Sequence, residues 1–270
     1  MTSDTTGVNV HSFTDIDDSA DLSPYVATLE IFDAIPQLQQ LKALARNFVQ
    51  SGDAILDVGC GFGIETFTLA SLVRPKGRVT GIDKSAAFIK MARKVASQNR
   101  LSIDFQVGNA EALDFPDDTF DLSRVERVLV YLPDPQRAVR EMRRVTRPGG
   151  TISMIEPDFG TDVINVPDRK LARRIRDYEC DVNVPQGLLM RDMPWILKEQ
   201  GLTDIEIDTR LLVFPEDLAM DYFIQMGANA KKADIISADE QEAWTAAIKD
   251  LKARGRLFAT IGYYLFAARA

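Results

Sequence analysis

Ala54-Ile55-Leu56-Asp57-Val58-Gly59-Cys60-Gly61-Phe62-Gly63-Ile64-Glu65-Thr66 is an apolar run that enters three glycines at alternate positions and leaves as a helical pattern carried on by Leu69, Ala70 and Val73. Glycine lacks a side chain, so the backbone can turn sharply and a ligand can lie against its peptide groups, while the new helix points its first N–H groups at that ligand. The stretch therefore reads as a strand, a binding turn and a helix. A dinucleotide fingerprint requires G-x-G-x-x-G, but position 64 is Ile and the third glycine arrives one residue early at Gly63. This spacing disfavours a dehydrogenase.

Working outward, Arg78-Val79-Thr80-Gly81-Ile82-Asp83 is a short apolar run ending in an acid 24 positions beyond Gly59. Doubly wound folds place a ribose-binding carboxylate at close to this distance, so Asp83 is expected to accept from both ribose hydroxyls. A third strand, Ile103 to Val107, leads into Gly108-Asn109-Ala110-Glu111. A fourth is expected from Thr119-Phe120-Asp121-Leu122-Ser123-Arg124-Val125-Glu126, followed by a loop through Tyr131. Ala138, Val139, Met142 and Val145 then recur at helical spacing, and Arg147-Pro148-Gly149-Gly150 is expected to stop that helix before a fifth strand, Thr151 to Ile155.

Acid-x-Gly-x-Gly-x-Gly after a strand, here Asp57-Val58-Gly59-Cys60-Gly61-Phe62-Gly63, resembles the cofactor loop of class I S-adenosylmethionine-dependent methyltransferases. The resemblance covers roughly residues 50 to 156 and is closest to the small-molecule branch that includes the ubiquinone and menaquinone biosynthesis enzymes. It implies S-adenosylmethionine as cofactor and S-adenosylhomocysteine as product. By the same resemblance Gly59, Gly61, Phe62 and Gly63 surround the methionine and ribose portions, Asp83 holds the ribose, and Asp57 and Lys84 belong to the cofactor-binding set. Asn109 and Ala110 meet the adenine, and Glu126 with Arg127 the methionine end.

The implied fold is α/β: a Rossmann-like seven-stranded sheet, six strands parallel and one antiparallel, with helices on both faces and a helical cap over the substrate site. Strand markers at Ala54, Val79, Ile103, Leu122, Thr151, Ile205 and Ile261 supply the seven, with Thr203 to Val213 and Leu257 to Ala267 as the antiparallel end. The expected organisation is a flexible acidic segment over 1–22 and N-terminal helices over 23–50 that form part of a lid. The cofactor core follows over 51–156, and 157–270 carries cap insertions and the last strands of the same domain. The helical stretch from Glu216 to Ala253 includes a capping-box pattern at Ser237 and Glu240.

At 270 residues and 46% hydrophobic, the chain can build one sizeable core. The net charge of −8 is concentrated near the start, because residues 1 to 41 hold seven acids and no Lys or Arg. An acidic, polar segment of this kind reads as mobile, either a lid or a tail. The overall acidity argues against nucleic acid. Arginines cluster at positions 137, 140, 143, 144 and 147 and again near Arg173 and Arg174, where the second group could meet an anionic substrate or the acidic N-terminus. No apolar run approaches the ~18 residues that span a bilayer, and the first residues lack the basic and apolar parts expected of a signal peptide. These features predict a cytoplasmic protein with two free thiols, Cys60 and Cys180. Oligomeric state, monomer or homodimer, is left open.

Chemistry is bounded by histidine usage: the single His11 lies in the acidic segment, so no histidine base stands in the core and no metal ligand cluster is evident. Many relatives of the resembled family have histidine near Tyr131, and this chain departs from them there. Methyl transfer needs an aligned nucleophile more than a strong base, since orientation can supply about 7–11 kcal/mol. The expected acceptor side is Tyr131 as an orienting group with Glu156 or Asp158 as base. The expected function is methyl transfer to O, N or activated C of a small metabolite of specialised metabolism. The alternative is a cyclase or binding module of the same fold that keeps the cofactor without transferring its methyl group.

Overall fold

The computed structural model describes residues 16–270. His11 and most of the acidic segment lie outside the described residues. After a 3₁₀ turn, Ile16–Asp18, come helices α1 (Ser23–Asp33) and α2 (Pro36–Arg46), then β1 (Ala54–Val58), α3 (Ile64–Leu72), β2 (Arg78–Asp83), α4 (Ala86–Gln98), β3 (Asp104–Val107) and β4 (Phe120–Glu126). They continue with α5 (Pro135–Val145), β5 (Thr146–Ile164), α6 (Arg169–Tyr178), α7 (Leu189–Glu199), β6 (Thr203–Val213), α8 (Glu216–Lys232), α9 (Ala238–Ala253) and β7 (Ala259–Arg269).

Seven strands form one sheet in the order β3-β2-β1-β4-β5-β7-β6. The pairs β3-β2, β2-β1, β1-β4 and β4-β5 are parallel. β7 runs against β5: the Gly149 amide donates to Ala270 O and the Ala270 amide to Gly150 O, while the Asn165 amide donates to Phe258 O. The expected count of six parallel strands and one antiparallel strand is therefore met. A lone antiparallel strand inserted beside the edge separates this sheet from an all-parallel doubly wound one.

The expectation for the fifth strand needs correction at both ends. Strand pairing starts at Thr146, through the Pro148-Gly149-Gly150 turn residues, and persists to Ile164. The first extension holds because Ala270, directly after β7, supplies partners for Gly149 and Gly150. A register shift between Phe120 and Leu122 absorbs the irregular backbone. The second holds because Thr161 Oγ1 accepts from the Gly262 amide at 2.7 Å, tying the strand to β7 beyond the acidic residues that look like a loop in sequence.

The backbone falls into two compact units. One comprises Gln40–Glu156, Leu189–Thr209 and Tyr264–Ala270, and is called the loop unit here; the other comprises the described residues up to Gln39 with Pro157–Leu188 and Arg210–Tyr263, and is called the aromatic unit.

The loop unit is organised by a strand with no exposed residue, β1, as parallel central strands require. Ile55, Val79 and Leu122 bury one sheet face against Leu69 of α3 and Val73 just after it, and Phe105 packs with Ile89, Ala92 and Ala96 of α4. Each such side chain contributes about 1.5–3 kcal/mol on burial. Helix α5 begins where Asp134 accepts from the Arg137 amide and Pro135 occupies its first turn. Arginines at its end are tie-points: Arg144 donates to Glu141, Asp117 and the carbonyls of Leu113 and Phe115, and Arg147, just inside β5, pairs with Asp121.

The aromatic unit packs Phe214 against Phe32, Tyr222 and Phe223, with the Tyr222 ring stacked on Phe214 at 5.1 Å. Helices α8 and α9 approach closely at Gly227, where a Cβ would stand 2.4 Å from the Trp244 ring. The Trp244 indole donates to Phe223 O at 2.7 Å, and the expected capping box at Ser237 and Glu240 opens α9. Between α6 and α7 the backbone forms one turn of π-helix, Glu179–Asn183.

Candidate active site

The turn after β1 works by three departures from ordinary backbone. Gly59, Gly61 and Gly63 all have positive φ, at 68°, 55° and 97°. Two of them are also hemmed in: a Cβ on Gly59 would meet Val128 Cγ2 at 2.2 Å, and one on Gly63 would meet Phe105 and Phe67 at 3.0 Å. Gly61 differs, because its Cβ would meet only the edge of Phe88, at 4.0 Å. The loop is thus clamped at both ends and open in the middle, where a ligand can rest on the peptide group.

Asp83, at the end of β2, props this loop. Its Oδ2 accepts from the Gly61 amide at 2.9 Å and its Oδ1 from the Ser85 amide at 2.9 Å. Burial pushes its carboxyl above the ordinary range against the pull of those two amides. Each oxygen keeps a further lone pair, so the carboxylate that sets the loop can also receive a ligand hydroxyl. Phe62 is buried and meets Phe88 edge-on at 5.8 Å. The adjoining Lys84 is exposed. Asn109 is exposed too, with its Oδ1 accepting from the Glu111 amide, while Ala110 is buried beside it.

Asp57 sits beneath the loop. It is buried, accepts from Thr66 Oγ1 at 2.6 Å and pairs with Arg124 Nη1 at 2.7 Å. Burial raises its pKa and Arg124 and Thr66 oppose the rise. Arg124 also reaches Glu126 at 2.6 Å, and Glu126 Oε1 lies 3.2 Å from Lys42 and 3.5 Å from Arg127. Lys42 stands 3.5 Å from Glu65, which Arg46 grips through two hydrogen bonds of 2.7 and 2.6 Å. For Glu126, burial would raise the pKa, but Lys42, Arg124 and Arg127 overcome it and hold the carboxyl down at about 2. The result is a chain of alternating charges under the strand ends, which fixes Glu126 and Arg127 in place.

Sequence reasoning named Asp57, Glu126 and Arg127 but missed Arg124, Thr66, Lys42, Arg46 and Glu65. One signal was readable. Arg124 interrupts a strand that must be buried on both faces, and a charge there requires a partner.

Glu156 ends the loop unit's portion of β5, fully buried. Its Oε1 accepts from the Val128 and Leu129 amides, both at 2.8 Å, and its Oε2 has no hydrogen-bond partner. Burial lifts its pKa to about 7, against those amides. Val128 is also the residue that clamps Gly59, so Glu156 holds the segment that holds the glycine loop. Tyr131 follows on a short 3₁₀ turn, half-buried. Asp158 belongs to the aromatic unit, where it is buried and accepts from the Gly160 amide at 2.9 Å. Both cysteines are free thiols, and burial pushes the Cys60 thiol well up, so it stays protonated inside the loop. Among the described residues no helix is long and apolar enough to cross a membrane.

A methyltransferase-domain family model matches residues 49–201. A demethylmenaquinone methyltransferase from Shouchella clausii is 36% identical over 201 residues, covering 66% of this chain and 84% of that protein. A 37.1 kDa protein of transposon TN4556 from Streptomyces fradiae is 32% identical over 222 residues, 81% of this chain but only 63% of its own length. Among solved structures, Haemonchus contortus phosphoethanolamine N-methyltransferase 2 in complex with S-adenosyl-L-methionine matches with a TM-score of 0.61 at 18% identity, covering 97% of this chain and 60% of that one. The [4+2]-cyclase SpnF matches with a TM-score of 0.54 at 24% identity, covering 86% and 81%. These structural likenesses concern the fold alone. The family model and the Shouchella relative, laid over the glycine loop and the sheet order described above, establish that this chain belongs to the methyltransferase-domain family.

Proposed function

We propose that this chain transfers a methyl group from S-adenosylmethionine to O, N or activated C of a small metabolite. The observation that carries the reading is the open Gly61 peptide, set by Asp83 and flanked by two clamped glycines. That cradle fits the sugar and methionine portions of the cofactor: Asp83 is the ribose partner, the loop amides line the nucleoside, and Glu126 with Arg127 serves the methionine end. Bound there, the cofactor supplies a methyl carbon activated by its sulfonium.

The protein's part is alignment. The alternating charges under β1 and β4 keep Glu126 from moving, and Glu156 keeps the Val128 segment against Gly59. Held geometry of this kind can contribute about 7–11 kcal/mol, against 10² to 10⁴-fold for a general base. Glu156 is the base candidate, since its Oε2 has no protein partner and its pKa of about 7 balances proton gain and loss near neutrality. Tyr131 is the orienting group, and Asp158, already accepting from the Gly160 amide, is the weaker base candidate.

Incubation with S-adenosylmethionine and candidate acceptors, followed by mass spectrometry, tests the reading. One equivalent of S-adenosylhomocysteine per methylated product is expected. Altered product without that equivalent would favour the cyclase or binding-module alternative, and a loop that fails to bind S-adenosylhomocysteine in calorimetry would end both.

A further inference from the structure

The glycine loop is held by a turn that is itself strained. Arg127, directly after β4, has a φ of 54°, a left-handed conformation that a side chain disfavours. Its amide donates to Ile155 O at 2.9 Å, and the next two amides, those of Val128 and Leu129, both donate to Glu156 Oε1 at 2.8 Å. Val128 is thereby set so close to Gly59 that a Cβ there would stand 2.2 Å from Val128 Cγ2. The Glu156 side chain is thus one of the ties that keep Arg127 in its strained form and Val128 on the loop.

This tie is uneven. Glu156 is 0% exposed, and while Oε1 takes two amides, Oε2 has no hydrogen-bond partner. A proton on Oε2 leaves both bonds to Oε1 in place. Its removal puts a charge in a buried site with one oxygen unsatisfied, which is costly. The surrounding groups do not reverse that cost. Glu126, at the end of β4, opposes a second negative charge, whereas Arg127 favours it. β7, on the other side of β5, brings Tyr264 and Arg269 into this unit, but Tyr264 stacks on Phe266 and Arg269 donates to Thr151 Oγ1 at 2.7 Å. Helix α5 turns apolar residues inward, Ala138, Val139, Met142 and Val145 among them. Burial is the largest influence, and it moves the Glu156 pKa up to about 7.

We propose that Glu156 is a proton-operated latch on the Arg127–Leu129 turn: protonated, it closes the turn on Gly59, and ionised, it releases the turn and weakens the loop's hold on the cofactor. Release lets the carboxylate reach water and lets Arg127 relax to a negative φ, which carries Val128 off Gly59. The closed turn binds the proton more tightly than the open one, so rising pH favours opening. The link to the cofactor rests on the proposed function; the opening of the turn does not.

Hydrogen exchange of the Val128 and Leu129 amides, corrected for the intrinsic exchange rate at each pH, reads the latch without any ligand. In wild-type protein their protection should stay level below about pH 7 and fall above it, by up to tenfold per pH unit, the limit for one proton. That fall should exceed the one at the Ile55 and Leu56 amides of β1, which report the core. Glu156→Gln keeps an oxygen for the two amides and cannot ionise, so its protection should not change with pH. Calorimetry with S-adenosylhomocysteine should show a wild-type Kd that is level below about pH 7 and rises above it by up to tenfold per pH unit. In Glu156→Gln the Kd should be level throughout. Protection that ignores pH, that falls equally at β1, or that falls as much in Glu156→Gln would overturn the proposal. So would a wild-type Kd that stays level while the two amides open. If S-adenosylhomocysteine binds at no pH, the cofactor reading fails, and the exchange measurement still decides whether the latch exists.

Discussion

The two units treat buried charge in opposite ways. In the loop unit Asp57, Glu126 and Glu65 are each matched by Arg124, Lys42 or Arg46 within 3.5 Å, and Glu126 ends with a carboxyl held near 2. In the aromatic unit Asp162 has a single long contact, and burial drives its pKa well up. Matched charges make a rigid platform, because no member can move without stranding its neighbours. An unmatched carboxyl is costly to bury in its charged form, so burial favours its protonated form. Glu156 stands between these cases: one oxygen is doubly held, the other has no partner.

Breaking the platform should give the largest effect. Arg124→Met leaves Asp57 and Glu126 buried without their shared cation, and urea unfolding should register a loss of about 3–5 kcal/mol. A loss below ~1 kcal/mol would mean that the alternating charges do not act as a unit.

The next effect appears as pH dependence. Glu156 has a folded pKa of about 7 against an ordinary 4.5, so folding favours its protonated form. Its contribution is fully present below pH 4.5 and is lost as pH rises through about 7. The difference amounts to roughly 3 kcal/mol. Glu156→Gln stays neutral, so its stability relative to wild type should improve by that amount between those pH values. Parallel stability profiles for the two proteins would refute the assignment.

Thr66→Val sharpens the comparison further. It removes the hydroxyl that donates to Asp57 while keeping the shape, and should cost about 1–3 kcal/mol because the acceptor stays buried. The smallest effect should come from the exposed pair of Arg174 with Glu240. Arg174→Ala is expected to change stability by about 0.2–1 kcal/mol. The guanidinium is already engaged by Glu240 and by Ile235 O, so acceptor KM should not move. A raised KM would revive the anionic-substrate idea for that arginine cluster.

Local signals in the sequence carried much of the frame of both units. β1, β2 and β6 appear where hydrophobic runs place them, and Ser237 with Glu240 opens α9 as its pattern requires. What escaped was non-local. Asp57 and Arg124 are 67 positions apart, and only strand pairing between β1 and β4 brings them together. The prolonged β5 was hidden because Pro148, Gly149, Pro157 and Gly160 read as turn residues, and the partners that hold the strand, Ala270 for Gly149 and Gly150 and Gly262 for Thr161, lie about a hundred or more positions away. Asp162 was not singled out for the same reason: an acid after Gly160-Thr161 looks like solvent-facing loop until the strand carries it inward.

The chain has two tryptophans, and each unit holds one of them. Trp244 is sealed against Gly227 with its indole donating to Phe223 O, whereas Trp195 on α7 is 57% exposed. Their emission should therefore differ, blue and shielded from iodide for the first, red and readily quenched for the second. Replacing either by Phe leaves a single optical reporter, so the melting of each half could be followed independently in the same sample.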